Sequence, residues 1–87
     1  MEERRLDGNA IGGLLEEVFA VEMTTAWSRC GGCGAGEPVG ALWVYTGGPG
    51  VVVRCPRCGG VLLRIVQGPG RLWLDLRGLA YLELPGS

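Results

Sequence analysis

The chain has 87 residues, the size of one domain with room for only a small core. Its eight arginines and nine acidic residues give a formal charge of −1, and it contains neither lysine nor histidine. This balance argues against nucleic acid as a partner, because nucleic-acid-binding domains normally carry a basic stripe. No apolar run approaches the about 20 residues of a membrane-spanning helix, and no signal-peptide pattern follows Met1. We therefore expect a cytoplasmic protein with no membrane partner.

A helix is predicted near the start of the chain. Residues 1–5 are charged and should fray, whereas Asp7 is a suitable N-cap for a helix over residues 8–20. Five apolar residues recur at the spacing of one helix face: Ile11, Leu14, Leu15, Val18 and Phe19. Gly12 and Gly13 each weaken the helix by about 1 kcal/mol relative to alanine, so the helix has to dock, and the two glycines would let it approach a sheet closely.

The rest of the chain is predicted to form short strands separated by glycine-rich turns. We predict extended segments at residues 22–29, 39–46, 51–54, 61–67, 72–77 and 80–84. The chain is thus divided into an N-terminal helical segment, residues 1–21, and a β-domain, residues 22–87, which together form one compact domain. The predicted fold class is a small metal-bound α+β fold, with the N-terminal helix packed on an antiparallel zinc-ribbon or rubredoxin-like β-sheet.

Alternation along three of these strands separates aliphatic from aromatic side chains. The aliphatic face carries Leu42, Val44, Leu72, Leu74, Leu76, Leu82 and Leu84. The opposite face carries Trp43, Tyr45, Trp73 and Tyr81. We expect the helix to cover the aliphatic face and leave the aromatic face partly exposed among charges, a composition typical of protein-binding surfaces. The alternative is that the aromatic rings cover a second, smaller core.

Four cysteines form two pairs, Cys30 with Cys33 and Cys55 with Cys58, and 21 residues separate the pairs. Two residues between cysteines let one tight turn direct both sulfurs at the same point. Two such turns supply the tetrahedral four-thiolate geometry of structural zinc sites, and the spacer is near the zinc-ribbon range. Because protein ligands fill all four positions and no histidine or lysine can act as a base, the site is predicted to be structural and the protein non-enzymatic.

The residues around the cysteines fit this prediction. Gly34 and Gly59 directly follow the two pairs, where the turn needs a residue that tolerates positive φ. Three arginines, Arg29, Arg54 and Arg57, adjoin the cysteines or lie between them. We expect them to offset the net charge of about −2 on a zinc ion bound by four thiolates. The alternative is that they contact phosphates, as in nucleic-acid-binding ribbons.

Four cysteines also have other uses in proteins. Two-residue loops make strained disulfides, and glycine surrounds both pairs, unlike the helix start of a redox Cys-x-x-Cys motif. Iron is a closer competitor, because a tetrahedron of soft thiolates accepts either metal. The expected cofactor is therefore Zn²⁺, with Fe as the alternative.

The segments Cys30–Gly34 and Cys55–Gly59, here called the first and second cysteine turns, resemble the metal-binding turns of zinc ribbons and rubredoxins. Rubredoxins usually have a longer spacer and a strongly acidic surface, so the comparison favours zinc. Nearly the whole chain also resembles a family of small bacterial zinc-ribbon proteins without an assigned activity, in the stretches Leu6–Ala10, Glu17–Phe19 and Trp73–Gly78. This resemblance implies an accessory role or an electron carrier, with a redox enzyme among the candidate partners.

From these observations we predict a non-enzymatic zinc-binding accessory or protein-interaction module. Its partner would be another protein, such as a redox enzyme, or a second copy of the chain. A rubredoxin-like iron electron carrier is the first alternative, and a nucleic-acid-binding zinc ribbon is the second.

Overall fold

Short alternating segments and frequent turns produce eight strands and one short α-helix in the computed structural model, which describes residues 5–84. The elements in chain order are β1 (Arg5–Asp7), α1 (Gly12–Phe19), β2 (Trp27–Cys30), β3 (Gly36–Pro38), β4 (Trp43–Tyr45), β5 (Val51–Arg54), β6 (Val61–Gly68), β7 (Arg71–Asp75) and β8 (Leu79–Glu83). All strand pairs are antiparallel. The small α+β class with antiparallel strands is confirmed.

The strands form two sheets, where one sheet was expected. The larger has five strands in the order β1-β4-β5-β6-β7, and the smaller has three in the order β3-β2-β8. The division arises after the first cysteine turn. There the chain folds back to pair β3 with β2, and a 3₁₀ turn over Val39–Ala41 then redirects it into β4 of the other sheet.

The N-terminal segment supplies a strand as well as the helix. Asp7 caps as predicted, and its Oδ1 accepts a hydrogen bond from the Asn9 N–H at 3.1 Å. The first turn, Gly8–Ile11, is 3₁₀, and the α-helix runs only over Gly12–Phe19, so the prediction of a helix over residues 8–20 is too long. Residues 1–4 lie outside the described part of the chain, but Arg5 begins β1 rather than fraying.

The close approach to a sheet expected of Gly12 and Gly13 is not made: a Cβ at Gly12 would lie 3.2 Å from Cγ2 of Thr24, which belongs to a turn. The closest backbone contact of this segment is made by Gly8. A Cβ at Gly8 would lie 1.9 Å from the Val39 carbonyl oxygen, whereas a Cβ at Gly13 would meet nothing within 4 Å. The 3₁₀ turn that precedes the helix therefore packs against the backbone leading into β4. Ile11 and Leu15 fill the core from this side.

Two predicted strands are several residues shorter than expected. Residues 22–26 form a turn, in which the Glu22 carboxylate accepts the Thr24 N–H at 2.9 Å and the Met23 carbonyl accepts the Ala26 N–H at 3.0 Å. Met23 and Ala26 are nevertheless buried, so this turn covers part of the core. In the second case, the predicted strand over residues 39–46 is reduced to Trp43–Tyr45 by the preceding 3₁₀ turn.

The aliphatic face is buried at one end of the large sheet and exposed at the other. Leu42 and Val44 are buried as predicted, whereas Leu72 and Leu74 of β7 are 42% and 38% exposed. The expectation that the helix covers all the alternating leucines is wrong for β7, because the helix is shorter than the sheet is wide. An eight-residue helix is about 12 Å long, whereas five strands at about 4.8 Å spacing span about 19 Å.

Gly78 joins the two sheets. Its N–H donates to the Leu62 carbonyl of β6 at 3.1 Å, and its carbonyl accepts the Gly31 N–H of the first cysteine turn at 2.9 Å. A Cβ at this position would lie 1.8 Å from the Val61 carbonyl oxygen. The absence of a side chain therefore lets β6 and the first cysteine turn bind the same peptide group.

Within residues 5–84, no helix has the length and apolar character needed to span a membrane.

Candidate metal centre

The two cysteine turns are built in the same way. The Gly34 N–H donates to the Cys30 carbonyl at 3.0 Å, and the Gly59 N–H donates to the Cys55 carbonyl at 2.8 Å. The two glycines have φ of 80° and 76°. This left-handed conformation is strained for residues with a side chain, so the positive φ expected after each cysteine pair is confirmed.

Backbone N–H groups point at sulfur in both turns. The contacts, all 3.3–3.5 Å long, are Gly32 N–H and Cys33 N–H to Cys30 Sγ, Arg57 N–H to Cys55 Sγ, and Gly60 N–H to Cys58 Sγ. Hydrogen bonds of this kind stabilise the thiolate, which is the form of cysteine that binds metals. The local turn geometry therefore favours the thiolate form of these cysteines, which is the form that binds a metal.

The four sulfur atoms converge on one point. All of them lie within 4.8 Å of one another, and Cys30 Sγ to Cys58 Sγ and Cys33 Sγ to Cys55 Sγ are each 3.7 Å. A tetrahedral zinc ion with Zn–S bonds of about 2.3 Å would hold its sulfurs about 3.8 Å apart. All four cysteines are free thiols. Both the donor set and the sulfur spacing therefore fit a single tetrahedral metal ion.

The cluster has a buried side and an open side. Cys30 and Cys55, the first cysteine of each turn, belong to the core, whereas Cys33 and Cys58 are exposed. The two turns also come from different sheets, since Cys30 ends β2 and Cys55 directly follows β5. A metal ion bound by all four sulfurs would consequently link the two sheets at the surface of the core.

The thiols of Cys30 and Cys33 differ in pKa. Hydrogen bonds led by the Cys33 N–H lower the pKa of Cys30 to about 7, despite the opposing effect of burial. For Cys33, the Ala35 N–H acts to lower the pKa, but desolvation and hydrogen bonds to the neighbouring sulfurs raise it to about 11. Binding of a metal by four thiolates would release the thiol protons.

Arg29 and Arg54 have matching roles in the two turns. Each directly precedes the first cysteine, and its Nη1 donates at 2.8 Å to the carbonyl of the positive-φ glycine, Gly34 or Gly59 respectively. Each guanidinium also lies 5.7 Å from the centre of a tyrosine ring: Tyr81 for Arg29 and Tyr45 for Arg54. The two arginines bind the carbonyls of the turns rather than the sulfurs.

Arg57 is placed differently. Its backbone N–H contacts a sulfur, but its Nε donates to Glu37 Oε2 at 3.0 Å, and its side chain is 69% exposed. Glu37 belongs to β3, which follows the first cysteine turn, so this ion pair connects the two turns from outside. The three arginines singled out in the sequence are thus all engaged within the chain.

We predict that Arg54→Ala speeds metal loss and that Arg57→Ala does not. Arg54→Ala removes the partly buried hydrogen bond that holds the Gly59 carbonyl in the second cysteine turn. Loss of such a supporting contact typically weakens metal binding by about 10-fold or more. The Arg57 side chain is largely exposed, so solvent screens its ion pair with Glu37 and we expect the pair to contribute little to metal binding. The rate of zinc transfer to a chromogenic chelator measures both effects. Equal rates for the two variants would contradict the role assigned to Arg54.

The aromatic residues do not form one surface. By strand register, Trp43, Tyr45 and Trp73 share the outer face of the five-stranded sheet, but two strands separate the first two from Trp73. Tyr81 lies in the smaller sheet, beside Arg29. Trp43 is half-buried under the guanidinium of Arg5, whose carbon lies 4.3 Å from the ring centre. The predicted partner surface is therefore divided between two sheets.

Sequence reasoning missed the exposed leucines of β7. Their alternation with polar residues is also typical of a strand whose apolar face packs on a core, so the pattern itself carries no sign of exposure. Only the position of β7 at the sheet edge identifies Leu72 and Leu74 as surface residues.

A family model described as a family of unknown function, DUF6510, matches residues 1–87. No curated protein and no solved structure matches the chain.

Proposed function

We propose that this chain, which belongs to the DUF6510 family of unknown function, is a non-enzymatic protein-binding domain held together by one structural zinc ion. The ligands would be Cys30, Cys33, Cys55 and Cys58. The observation that carries the proposal is the convergence of their four sulfurs, all within 4.8 Å of one another. When bound, the zinc would supply a redox-inert cross-link between the four thiolates.

A structural role follows from where the cysteines lie. The turns come from different sheets, and the chain is small enough that its core provides limited stability. Zinc binding to such a site contributes about 10–16 kcal/mol to folding, because the site does not exist in the unfolded chain. Four protein sulfurs also leave no open position at which a substrate or water could bind the metal. This closed ligand set supports a non-enzymatic function.

The protein-binding part of the proposal rests on exposed apolar side chains. Within residues 5–84, seven large apolar residues are substantially exposed: Trp27, Leu72, Trp73, Leu74, Leu76, Tyr81 and Leu84. Four of them lie within the single stretch Leu72–Leu76, which is flanked by Arg71 and Arg77. The leucines lie on one face of this edge strand and Trp73 on the other. Exposed apolar side chains beside charges are characteristic of a protein interaction site.

One observation favours a second candidate, an iron electron carrier that would serve a redox enzyme. Cys33 and Cys58 are exposed, so a metal at this site would lie close to the surface, where electrons can pass to a partner. The same four thiolates accept iron. A nucleic-acid-binding role has less support, because Arg29, Arg54 and Arg57 are engaged within the chain and the net charge is −1.

Metal analysis and a visible spectrum of protein purified anaerobically from its native cells test the proposal. We expect a colourless protein with one zinc ion per chain. A coloured, redox-active protein with one iron ion would instead establish the electron carrier. Protein that is folded yet contains neither metal would contradict both. Salt-dependent binding to DNA or RNA would favour the nucleic-acid alternative.

A further inference from the structure

The outer edge of β7 is open and apolar. Among residues 5–84, β7 pairs with β6 on one side and with no strand on the other. An antiparallel strand directs alternate N–H and C=O groups to each side, so the outer side of β7 offers a row of groups ready to pair with another strand. Trp73 is 52% exposed, and its neighbours Leu72 and Leu74 are also exposed.

The side chains of β7 leave this edge accessible. A Cβ on Gly68 of β6 would lie 2.9 Å from Cζ3 of Trp73, which shows that the indole ring lies back over β6. The ring therefore covers the inner side of the hairpin and does not fold over the free edge. Natural proteins usually protect edge strands with proline, a bulge or an inward-pointing charge, and Leu72–Leu74 contains no proline and no charge.

The sequence of β7, Arg-Leu-Trp-Leu-Asp, is complementary to itself in the antiparallel direction. With Trp73 of one copy opposite Trp73 of another, Leu72 lies opposite Leu74, and Arg71 lies opposite Asp75. The charged pair and the leucine pair each form twice, once on each side of the symmetry axis. Opposite charges and apolar side chains placed directly across a strand pair both stabilise a sheet.

We propose that a second copy of this chain pairs with β7 in this register, so that the five-stranded sheets of two copies join into one. The inference rests on the protein-binding role proposed above and identifies the partner as the chain itself. The interface is isologous, because the same residues contribute from each copy.

Neighbouring registers are poorer. A pair centred on Leu74 would place Arg71 opposite Arg77 of the other copy, and like charges directly opposite destabilise a strand pair. A pair centred on Leu72 would place Asp75 opposite Pro69 and Arg71 opposite Trp73, so neither charge of β7 would meet an opposite charge. The register centred on Trp73 is the one in which every charge on β7 meets its opposite.

Asp75 keeps capacity for this additional contact. Its carboxylate already accepts the Arg77 side chain, with Nη2 to Oδ2 at 2.8 Å. Three Arg77 donors, the backbone N–H, Nε and Nη2, already bind its two oxygens. A carboxylate has about four lone-pair sites, so about one site remains for a hydrogen bond from a second guanidinium. Asp75 is also partly exposed, as an intermolecular contact requires.

The opposite edge of the same sheet, β1, is a weaker candidate. It has three described residues, Arg5–Asp7, and its single apolar side chain, Leu6, packs against the core. Short edge strands resist pairing with other chains. Arg5 therefore provides a matched control for Arg71: the residue type is the same, the side chain is also exposed, and it lies at the other edge of the sheet.

Charge exchange tests the register. In metal-loaded protein, Arg71→Asp alone places two carboxylates opposite each other, and Asp75→Arg alone places two guanidinium groups opposite each other. Each variant should raise the dissociation constant of the dimer at least about 10-fold, measured by sedimentation equilibrium. An equal mixture of the two variants should dimerise again, because each charge in the mixed dimer then faces its opposite. Arg5→Asp should dimerise like the parent protein.

The remaining outcomes are decisive. A monomeric parent, a mixture that stays monomeric, or an equal loss of dimer in Arg5→Asp would each overturn the proposal. If Asp75→Arg disturbs the hairpin, as judged by circular dichroism, Leu72→Lys replaces it. Leu72 is exposed in a single copy, so lysine there should not disturb the fold, but the dimer would then contain two charges in its interface. A folded monomer is therefore expected, and an unchanged dimer would overturn the proposal. Zinc content measured on the same samples separates missing metal from missing dimerisation.

Discussion

Cys58→Ser is expected to release the metal and to abolish most of the tertiary structure. The cysteine side chain is exposed, so serine there removes little buried apolar surface, and the effect should come from the lost ligand. Zinc at such a site contributes about 10–16 kcal/mol to folding, whereas a small domain has a net stability of about 5–15 kcal/mol. Loss of one thiolate, and with it the metal, is therefore expected to remove most or all of the net stability of the fold. Zinc content, near-ultraviolet circular dichroism and thermal unfolding measure the result.

The chelated parent protein is the control for this variant. If the metal is structural, parent protein treated with chelator should resemble Cys58→Ser, and zinc should restore only the parent. A cooperative thermal transition that survives unchanged in both would show that the two sheets hold together without the metal, and the structural role would then be wrong.

Gly78→Ala is the second substitution with a large expected effect. The added Cβ would lie 1.8 Å from the Val61 carbonyl oxygen and 2.7 Å from the Leu62 Cα. Both are backbone atoms, so no side chain can move aside, and either β6 or the first cysteine turn has to shift. Overpacking of this kind typically costs about 1–3 kcal/mol, and backbone contact at this distance places the expected loss at the upper end or beyond. Chemical denaturation measures the change.

Gly48→Ala is a suitable control for Gly78→Ala. A Cβ at Gly48 would meet nothing within 4 Å, and this glycine does not have a positive φ. Its stability should stay within about 0.5 kcal/mol of the parent. Because Gly78 also binds the first cysteine turn, we expect Gly78→Ala to speed zinc loss, whereas Gly48→Ala should not. A Gly78→Ala protein as stable as the control would show that the junction between the sheets can relax.

Both substitutions act where the two sheets meet, although their residues are far apart in sequence. Cys58 lies in the second cysteine turn, and Gly78 binds the first. A metal bound by the four cysteines and the glycine junction would therefore stabilise the same contact by different means. For this reason, the double variant is expected to be less destabilised than the sum of the single variants, because neighbouring contributions are not additive.

Local features of the candidate site were predictable from sequence. The two-residue spacing of each cysteine pair and the glycine that follows it determine a turn of a few residues, and the structure has both glycines at positive φ. Asp7 as an N-cap and the burial of Leu42 and Val44 were predictable for the same reason. In each case, the interactions that decide the conformation lie within a few positions of one another, or depend on simple alternation along one strand.

The tertiary structure alone decided what depends on distant partners. Arg5–Asp7 is a strand because it pairs with Trp43–Tyr45. Nothing in the sequence of either segment predicts that the two pair with each other. Arg54 supports its turn through a carbonyl five residues away, whereas Arg57, which has the same charge and lies between both cysteines of that turn, binds Glu37 instead. The leucines of β7 alternate like buried residues but lie beyond the reach of the short helix. Alternation determines which side chains share a face, but only the order of the strands and the length of the covering helix determine whether that face is buried.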